Sequence, residues 1–339
     1  MGCYHPQKMV WDGTLTDKGK RHYIFNKYHE IEPEKINFTE KGKPFYAETI
    51  EVPCGKCIGC RLETSRQWAN RCMLEAKDHE ENQFLTLTYD DENVPKSKGV
   101  INFETGEIGE VLTLLPKDLQ DFIKRLRRYF EYNFNLKDIR FYACGEYGSK
   151  TERPQYHVIA FNLPLNDKKL LCIDKKGTRL YRSEIIEKLW TKGISSVADV
   201  TWESCAYVAR YIMKKVKGKQ AVELFKDTGR EPEFTRMSRR PGIGRNYFDQ
   251  NKNKMYECDE IWMKNKKGVF KIKPAKYYDK LFDLENPELM EAIKKSRKKA
   301  ASAAQKYLET VTGVSIEDER EKQEAFKLKQ IERLKRQLK

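Results

Sequence analysis

Two hydrophobic periods alternate through the middle of the chain. Residues 83–93, QFLTLTYDDEN, set Phe84, Thr86 and Thr88 against Leu85, Leu87 and Tyr89. That two-residue alternation, stopped by an acidic turn, predicts a strand with one greasier face. Residues 116–132, PKDLQDFIKRLRRYFEY, space Leu119, Phe122, Ile123, Leu126, Tyr129 and Phe130 three or four apart, with Lys and Arg opposite, which predicts an amphipathic helix. DIRFYACGEYG (138–148) and PQYHVIAFNL (154–163) read as two strands of an antiparallel hairpin joined by a polar loop. SEIIEKLW (183–190) reads as a helix, GISSVADV (193–200) as a strand, and ESCAYVARYIMKKVKG (203–218) as a helix closed by Gly218. Upstream, TSRQWANRCMLEAKDH (64–79) predicts a helix capped by Thr64 or Ser65, and the first fifty residues read as loops and short strands.

From residue 83 the order is strand, helix, strand, strand, helix, strand, helix. This is the pattern of an α+β fold, an antiparallel sheet with helices on one face in a ferredoxin-like arrangement. The expected organisation is an N-terminal Cys-rich segment and helix over 1–80, a core domain over 81–250 and a charged, mainly helical extension over 251–339. Pro241, Gly242 and Gly244 interrupt any regular element near 238–248.

Composition narrows the partner. Lys and Arg number 66 against 51 Asp and Glu, a formal net charge of +15, which favours a polyanion. No run approaches the roughly 20 apolar residues of a membrane span, and the start, MGCYHPQKMVWDG, lacks a secretory signal's apolar block. A cytoplasmic protein without membrane partners is expected. In a reducing compartment nine cysteines point to metal binding or burial rather than disulfides.

Three groups of residues could carry chemistry. On the strand 154–163, Gln155 and His157 share a face with Ile159 and Phe161. An imidazole and an amide oxygen side by side can take two positions on a divalent metal, and Glu146, across the hairpin, could add a carboxylate. The plain alternative is a buried, hydrogen-bonded histidine. On the helix 203–218, Tyr207, Tyr211 and Lys214 fall at i, i+4 and i+7, on one face. A phenol with an ordinary pKa of about 10 needs a nearby cation and a polarised electrophile to act at neutral pH. Otherwise the two tyrosines pack the helix on the sheet. Third, Cys54, Cys57 and Cys60 in C-x2-C-x2-C, with Cys3 as a fourth thiolate, could form a closed structural zinc site, with buried thiols or an iron–sulfur cluster as alternatives.

The segments VPCGKCIGCR, SRQWANRCMLE, FLTLTYDD, FYACGEYG, RPQYHVIAF, YVARYIMKK and SRRPGIG, spread over about residues 52–244, together resemble the replication initiation proteins of small single-stranded DNA phages, the gokushovirus-like Microviridae, within the HUH endonuclease superfamily. The resemblance implies a rolling-circle initiator that nicks and rejoins single-stranded DNA at an origin through a 5′-phosphotyrosine. A Mg2+ or Mn2+ ion would sit on His157, Gln155 and Glu146. Tyr211, in Tyr-x-x-Lys register, and Tyr207 would be the nucleophiles, with Lys214, or Lys215 in its stead, beside them. Position 155 departs from the family's His-hydrophobic-His pattern by offering Gln, which favours a hard cation. No GxxxxGK[ST] sequence is present, so unwinding and synthesis would fall to a host helicase and polymerase in the host bacterial cytoplasm. DNA contacts are expected from the basic face of 116–132, from Arg239, Arg240 and Arg245, and from stacking on Tyr147 and Tyr247. Two alternatives remain: a relaxase or transposase of the same superfamily, or a noncatalytic zinc-containing nucleic-acid-binding protein.

Overall fold

The structure is a computed structural model and describes residues 2–17, 19, 21–25, 31–32, 35–39, 41–102, 104–148, 151–174, 177–214, 223, 228–265 and 268–337. The chain divides into two compact units. One comprises residues 1–63 and 298–339, the other residues 64–297.

The larger unit is built on a seven-stranded sheet. Its strands are β6 (Asn82–Tyr89), β9 (Arg140–Tyr147), β10 (Pro154–Phe161), β11 (Lys169–Ile173), β12 (Arg179–Arg182), β13 (Gly193–Asp199) and β14 (Phe234–Met237). They lie in the order β11-β12-β13-β6-β10-β9-β14, every neighbouring pair antiparallel. The α+β class and the antiparallel sheet are as expected. Because β10 is central and buried on both faces almost throughout, its run YHVIAF must be covered twice. On one face Leu85, Leu87, Tyr156, Val158 and Ala160 pack against α2 (Pro116–Phe134) and α3 (Glu184–Leu189), through Phe122, Leu126, Phe130 and Ile186. On the other, Tyr142, Cys144, Ile159 and Phe161 pack against Ala69 and Cys72 of α1 (Ile58–Lys77) and Cys205, Val208 and Ala209 of α4 (Trp202–Lys214). The expected helical layer is therefore one of two.

Helix α1 begins at Ile58, ahead of the expected cap at Thr64 or Ser65. Ser65 is buried inside the helix. The start lies where Cys57 and Cys60 cluster, so the cysteine turn, not a hydroxyl cap, opens the helix.

A hairpin of β7 (Lys96–Asn102) and β8 (Glu107–Leu112) follows β6. After the sheet come α5 (Arg245–Glu257), the hairpin of β15 (Ile261–Asn265) and β16 (Gly268–Ile272), and α6 (Lys276–Glu285). Phe248, Met255, Tyr278 and Phe282 form with Leu74 a third core cluster, which the sequence pattern did not disclose. The smaller unit holds a three-stranded sheet of β2 (Arg21–Ile24), β1 (Gln7–Leu15) and β5 (Thr49–Val52), and a hairpin of β3 (Ile36–Phe38) and β4 (Pro44–Tyr46). It also contains α8 (Ile316–Gln337), tied to the N-terminal segments by Glu324 on His5 and by Arg320 on Glu51. The helix α7 (Pro287–Thr312) runs from the larger unit's residues into the smaller's. Among the described residues, no helix is long and apolar enough to cross a membrane.

Candidate active site

Antiparallel register sets Gln155 of β10 opposite Glu146 of β9 and His157 opposite Thr86 of β6. Strand alternation sends Gln155, His157 and Glu146 to the face that carries α4. Helix α4 is fixed at its start by a reciprocal pair of bonds, in which the Ser204 N–H donates to the Thr201 hydroxyl at 3.2 Å and the Thr201 N–H donates to Ser204 Oγ at 2.8 Å. With Cys205, Val208 and Ala209 seated on the sheet, Tyr207 falls beside them and reaches the histidine.

Three side chains then meet one oxygen. Glu146 Oε1 is 2.6 Å from His157 Nε2, accepts from the Gln155 amide at 2.7 Å and accepts from the Tyr207 hydroxyl at 3.1 Å. Glu146 and His157 are buried, whereas Gln155 and Tyr207 are half-buried, so the cluster opens on one side. The imidazole is held on three further sides. Phe84 stacks on it with ring centroids 5.6 Å apart, Tyr207 meets it edge-on at 5.1 Å, and Thr86 Oγ1 lies 3.1 Å from Nδ1. One imidazole nitrogen, one carboxylate and one amide whose oxygen and nitrogen can exchange by a half-turn make a nitrogen and oxygen donor set that fits a hard divalent cation. Burial pushes the phenol of Tyr142, beneath the same face, well above the ordinary value, so it stays protonated.

Tyr211 and Lys214 lie in α4, but only their backbone is described; Lys215 lies outside the described residues. Arg239 and Arg240 are exposed in the loop before α5. Arg245 pairs with Asp249 at 2.8 Å, and Tyr247 packs half-buried on the third core cluster. Tyr147 turns to the face opposite Glu146, where its hydroxyl donates to the Glu231 carbonyl at 2.7 Å and accepts from the Leu114 N–H at 3.0 Å.

The loop Arg239–Arg245 is anchored by residues that sequence reasoning did not single out. Arg71 donates to the Ile243 carbonyl at 2.8 and 3.1 Å, Arg140 donates to the Pro241 carbonyl at 2.8 Å, and Glu75 accepts from the Gly244 N–H at 2.5 Å and pairs with Arg140. Burial works to raise the Glu75 pKa, but His79, Arg140 and the Gly244 N–H together hold it below the usual carboxylate range. Gly244 has φ of 74°, and a Cβ there would lie 2.2 Å from the Tyr278 hydroxyl, so only glycine fits. The available signal was a charged pair, Arg71 and Glu75, one turn apart and flanking the buried Cys72 and Leu74.

In the smaller unit, the sulfurs of Cys3, Cys54, Cys57 and Cys60 all lie within 4.8 Å of one another, with Cys3 and Cys57 3.8 Å apart. A tetrahedral zinc with Zn–S near 2.3 Å sets its sulfurs about 3.8 Å apart, so the cluster fits that ion. Backbone N–H groups point at the sulfurs: Cys54 to Cys3 at 3.2 Å, Cys57 to Cys54 at 3.3 Å, Tyr4 to Cys57 at 3.4 Å and Cys60 to Cys57 at 3.5 Å. Burial opposes ionisation of Cys57, yet the N–H groups of Cys60 and Tyr4 with the Cys54 thiol bring it down to about 6, while burial and its thiol neighbours push Cys60 up to about 12. Gly59 lets the Cys3 segment approach, since a Cβ there would lie 2.4 Å from the Gly2 carbonyl.

The family model described as Replication-associated protein ORF2/G2P matches residues 82–216, from β6 through the end of α4. The chain is 37% identical over 262 residues to Replication-associated protein ORF2 of Spiroplasma virus 4, covering 76% of each chain. It is 36% identical over 199 residues to Replication-associated protein VP4 of Bdellovibrio phage phiMH2K, covering 56% of this chain and 58% of that one. Against Replication-associated protein ORF4 of Chlamydia phage 1 it is 33% identical over 171 residues, 49% of this chain and 39% of that one. No solved structure matches it. On the strength of these alignments, the chain belongs to the family of microvirus replication-associated proteins.

Proposed function

We propose that this protein initiates rolling-circle replication by nicking single-stranded phage DNA at an origin, holding the 5′ end on a tyrosine and later rejoining the strand. The observation that carries the reading is the convergence of His157, Gln155 and Tyr207 on one oxygen of Glu146. A Mg2+ or Mn2+ ion on His157, Gln155 and Glu146 would supply charge stabilisation at the scissile phosphate. The Tyr207 O–H already donates to a carboxylate, which orients its oxygen and can draw off the proton as the oxygen attacks phosphorus. The 3′ oxygen departs, takes up a proton from water and becomes the free 3′-OH that a host polymerase extends. Tyr211, one helical turn on, takes the new 5′ end when the first is released, and Lys214 meets the charge that develops on the phenolate. The register Tyr-x-x-Lys favours Tyr211 for the first attack, but the 3.1 Å contact with Glu146 favours Tyr207.

The exposed Arg239 and Arg240 supply phosphate contacts along the strand, whereas α2, whose basic side was expected to help, covers the sheet face opposite Glu146 and His157, with Arg125 and Arg127 donating to the Leu189 and Ile139 carbonyls. A host helicase unwinds the duplex, and the reaction takes place in the host cytoplasm. A noncatalytic zinc-containing nucleic-acid-binding protein would use the charge and the cysteines but has no task for the Glu146 cluster. A relaxase or transposase would share the chemistry and differ in its DNA target.

The test is incubation with circular single-stranded phage DNA and Mn2+ or Mg2+, followed by a denaturing gel. A metal-dependent protein–DNA adduct is expected, lost in His157→Ala and in Tyr207→Phe. Tight binding with no adduct under either metal would turn the reading to the noncatalytic alternative.

A further inference from the structure

Resting on the metal site proposed above, the geometry points to Thr86 as a positioning residue for His157, and we infer that its hydroxyl partners Nδ1 in either ring tautomer, so that Nε2 can be given to the cation. Thr86 stands directly across from His157 in the β6–β10 register, and its Oγ1 lies 3.1 Å from Nδ1. The neighbouring residue on the same face of β6, Phe84, stacks on the imidazole with only 14° between the planes, and Tyr207 closes the edge. The ring plane is thereby fixed by packing. What packing cannot fix is which nitrogen carries the proton.

Chemistry decides that. A cation takes the lone pair of Nε2, so the proton of a neutral ring must then sit on Nδ1 and needs an acceptor there. In the structure Nε2 instead faces Glu146 Oε1 at 2.6 Å, a contact that calls for a proton on Nε2. In that state a neutral Nδ1 needs a donor. A carbonyl or carboxylate opposite Nδ1 could serve only the first arrangement. A hydroxyl serves both, donating to Nδ1 while Nε2–H points at Glu146 and accepting from Nδ1–H once Nε2 is given to the cation. Exchange between the two arrangements moves one proton off Nε2 and one onto Nδ1 through solvent, leaves the ring neutral, ends the Nε2–H contact with Glu146 and, at Nδ1, requires only rotation of the Thr86 O–H. The alternation of FLTLTY thereby acquires a second meaning: its outward positions, Phe84 and Thr86, form a clamp for the imidazole, while Leu85 and Leu87 build the opposite core.

The experiment compares wild type, Thr86→Val, Thr86→Ser and His157→Ala for Mn2+ binding, read by the fall of the free Mn2+ electron paramagnetic resonance signal. The ring's tautomer is followed by nitrogen-15 shifts of His157. Thr86→Val is near-isosteric and loses only the hydroxyl. It should weaken Mn2+ about tenfold, in line with the typical effect of losing an outer-shell partner. In the Mn2+-free protein, where Glu146 holds the Nε2–H form, it should also move the Nδ1 shift through loss of the donated hydrogen bond, while Thr86→Ser restores both. If Thr86→Val binds Mn2+ as wild type does while His157→Ala does not, the role of Thr86 is overturned and the metal site stands. If wild type and His157→Ala bind alike, the metal site itself is overturned and the inference with it.

Discussion

The two clusters of chemistry-bearing residues are built on opposite plans. Three of the four cysteines are gathered by one short turn, with Cys3 brought in from the start of the chain, and several backbone N–H groups point at their sulfurs. Such a cage offers four equivalent donors, the signature of an ion that holds a fold together. The cluster around Glu146 is gathered by side chains from β6, β9, β10 and α4, its donors are chemically mixed, and two of them, Gln155 and Tyr207, are half exposed. Backbone-held sites are closed and specify structure. Side-chain-held sites on a rigid sheet leave a face open for substrate, and each member can move a proton or turn an amide.

Removing metal from the first cluster should produce the largest effect. Structural zinc contributes on the order of 10 kcal/mol to the folding of small zinc modules. Cys57→Ser is expected to drop zinc from one equivalent to none by a colorimetric thiolate-release assay and to make the segment around residues 54–60 sensitive to protease. A Cys57→Ser protein that keeps one zinc and resists cleavage would sink the structural role. The next effect belongs to the second cluster. Tyr207→Phe should cut first-turnover adduct by about 10³-fold or more, the scale lost when a nucleophile is deleted, with little change in melting temperature. Tyr211→Phe should leave the first adduct and abolish strand rejoining. The reverse pattern would assign the first attack to Tyr211.

The same contrast explains why the sequence disclosed the two sites unequally. The cysteine set was legible because its ligands are local, three of them within seven residues. His157, Gln155, Glu146 and Tyr207 were legible because strand and helix periods fix which residues share a face, and the hairpin could be read from its polar loop. What periodicity could not supply was the pairing of β6 with β10, which sets Thr86 and Phe84 against the histidine. Long-range pairing leaves no local trace. For the same reason the second helical layer and the third core cluster were missed: Phe248 and Tyr278 are thirty residues apart and meet Leu74 of α1 only in the folded chain.

A middle-sized effect tests whether the side-chain plan extends to the Arg239–Arg245 loop. Glu75 and Arg140 are both buried, and Glu75→Gln leaves Arg140 without its counter-charge. Breaking such a pair costs about 3–5 kcal/mol, to be read as a shift in urea midpoint at pH 7. The pH dependence has a definite sign. Because the folded Glu75 pKa is lowered, its contribution is complete above the unfolded value of about 4.3 and is lost as pH falls through the folded value. The wild-type and Glu75→Gln midpoints should therefore draw together only as pH falls below the usual carboxylate range. A constant difference down to pH 3 would mean that shape, not charge, anchors the loop.

The smallest effect asks which of the loop's cations reach DNA. Arg239 and Arg240 are exposed, so each substitution by Ala should lower the slope of log affinity against log salt by about 1 if it meets a phosphate. Arg245 starts at a disadvantage. Its guanidinium is paired with Asp249 at 2.8 Å, and a phosphate contact would have to displace that carboxylate. Arg245→Ala is thus expected to leave the slope nearly unchanged. A drop equal to that of Arg239→Ala would show that DNA breaks the Asp249 pair, and Asp249→Asn should then strengthen binding by freeing the same guanidinium. With Asp249 neutral and the slope still unmoved, Arg245 serves the start of α5 alone, and the loop's reach toward the strand ends at Arg240.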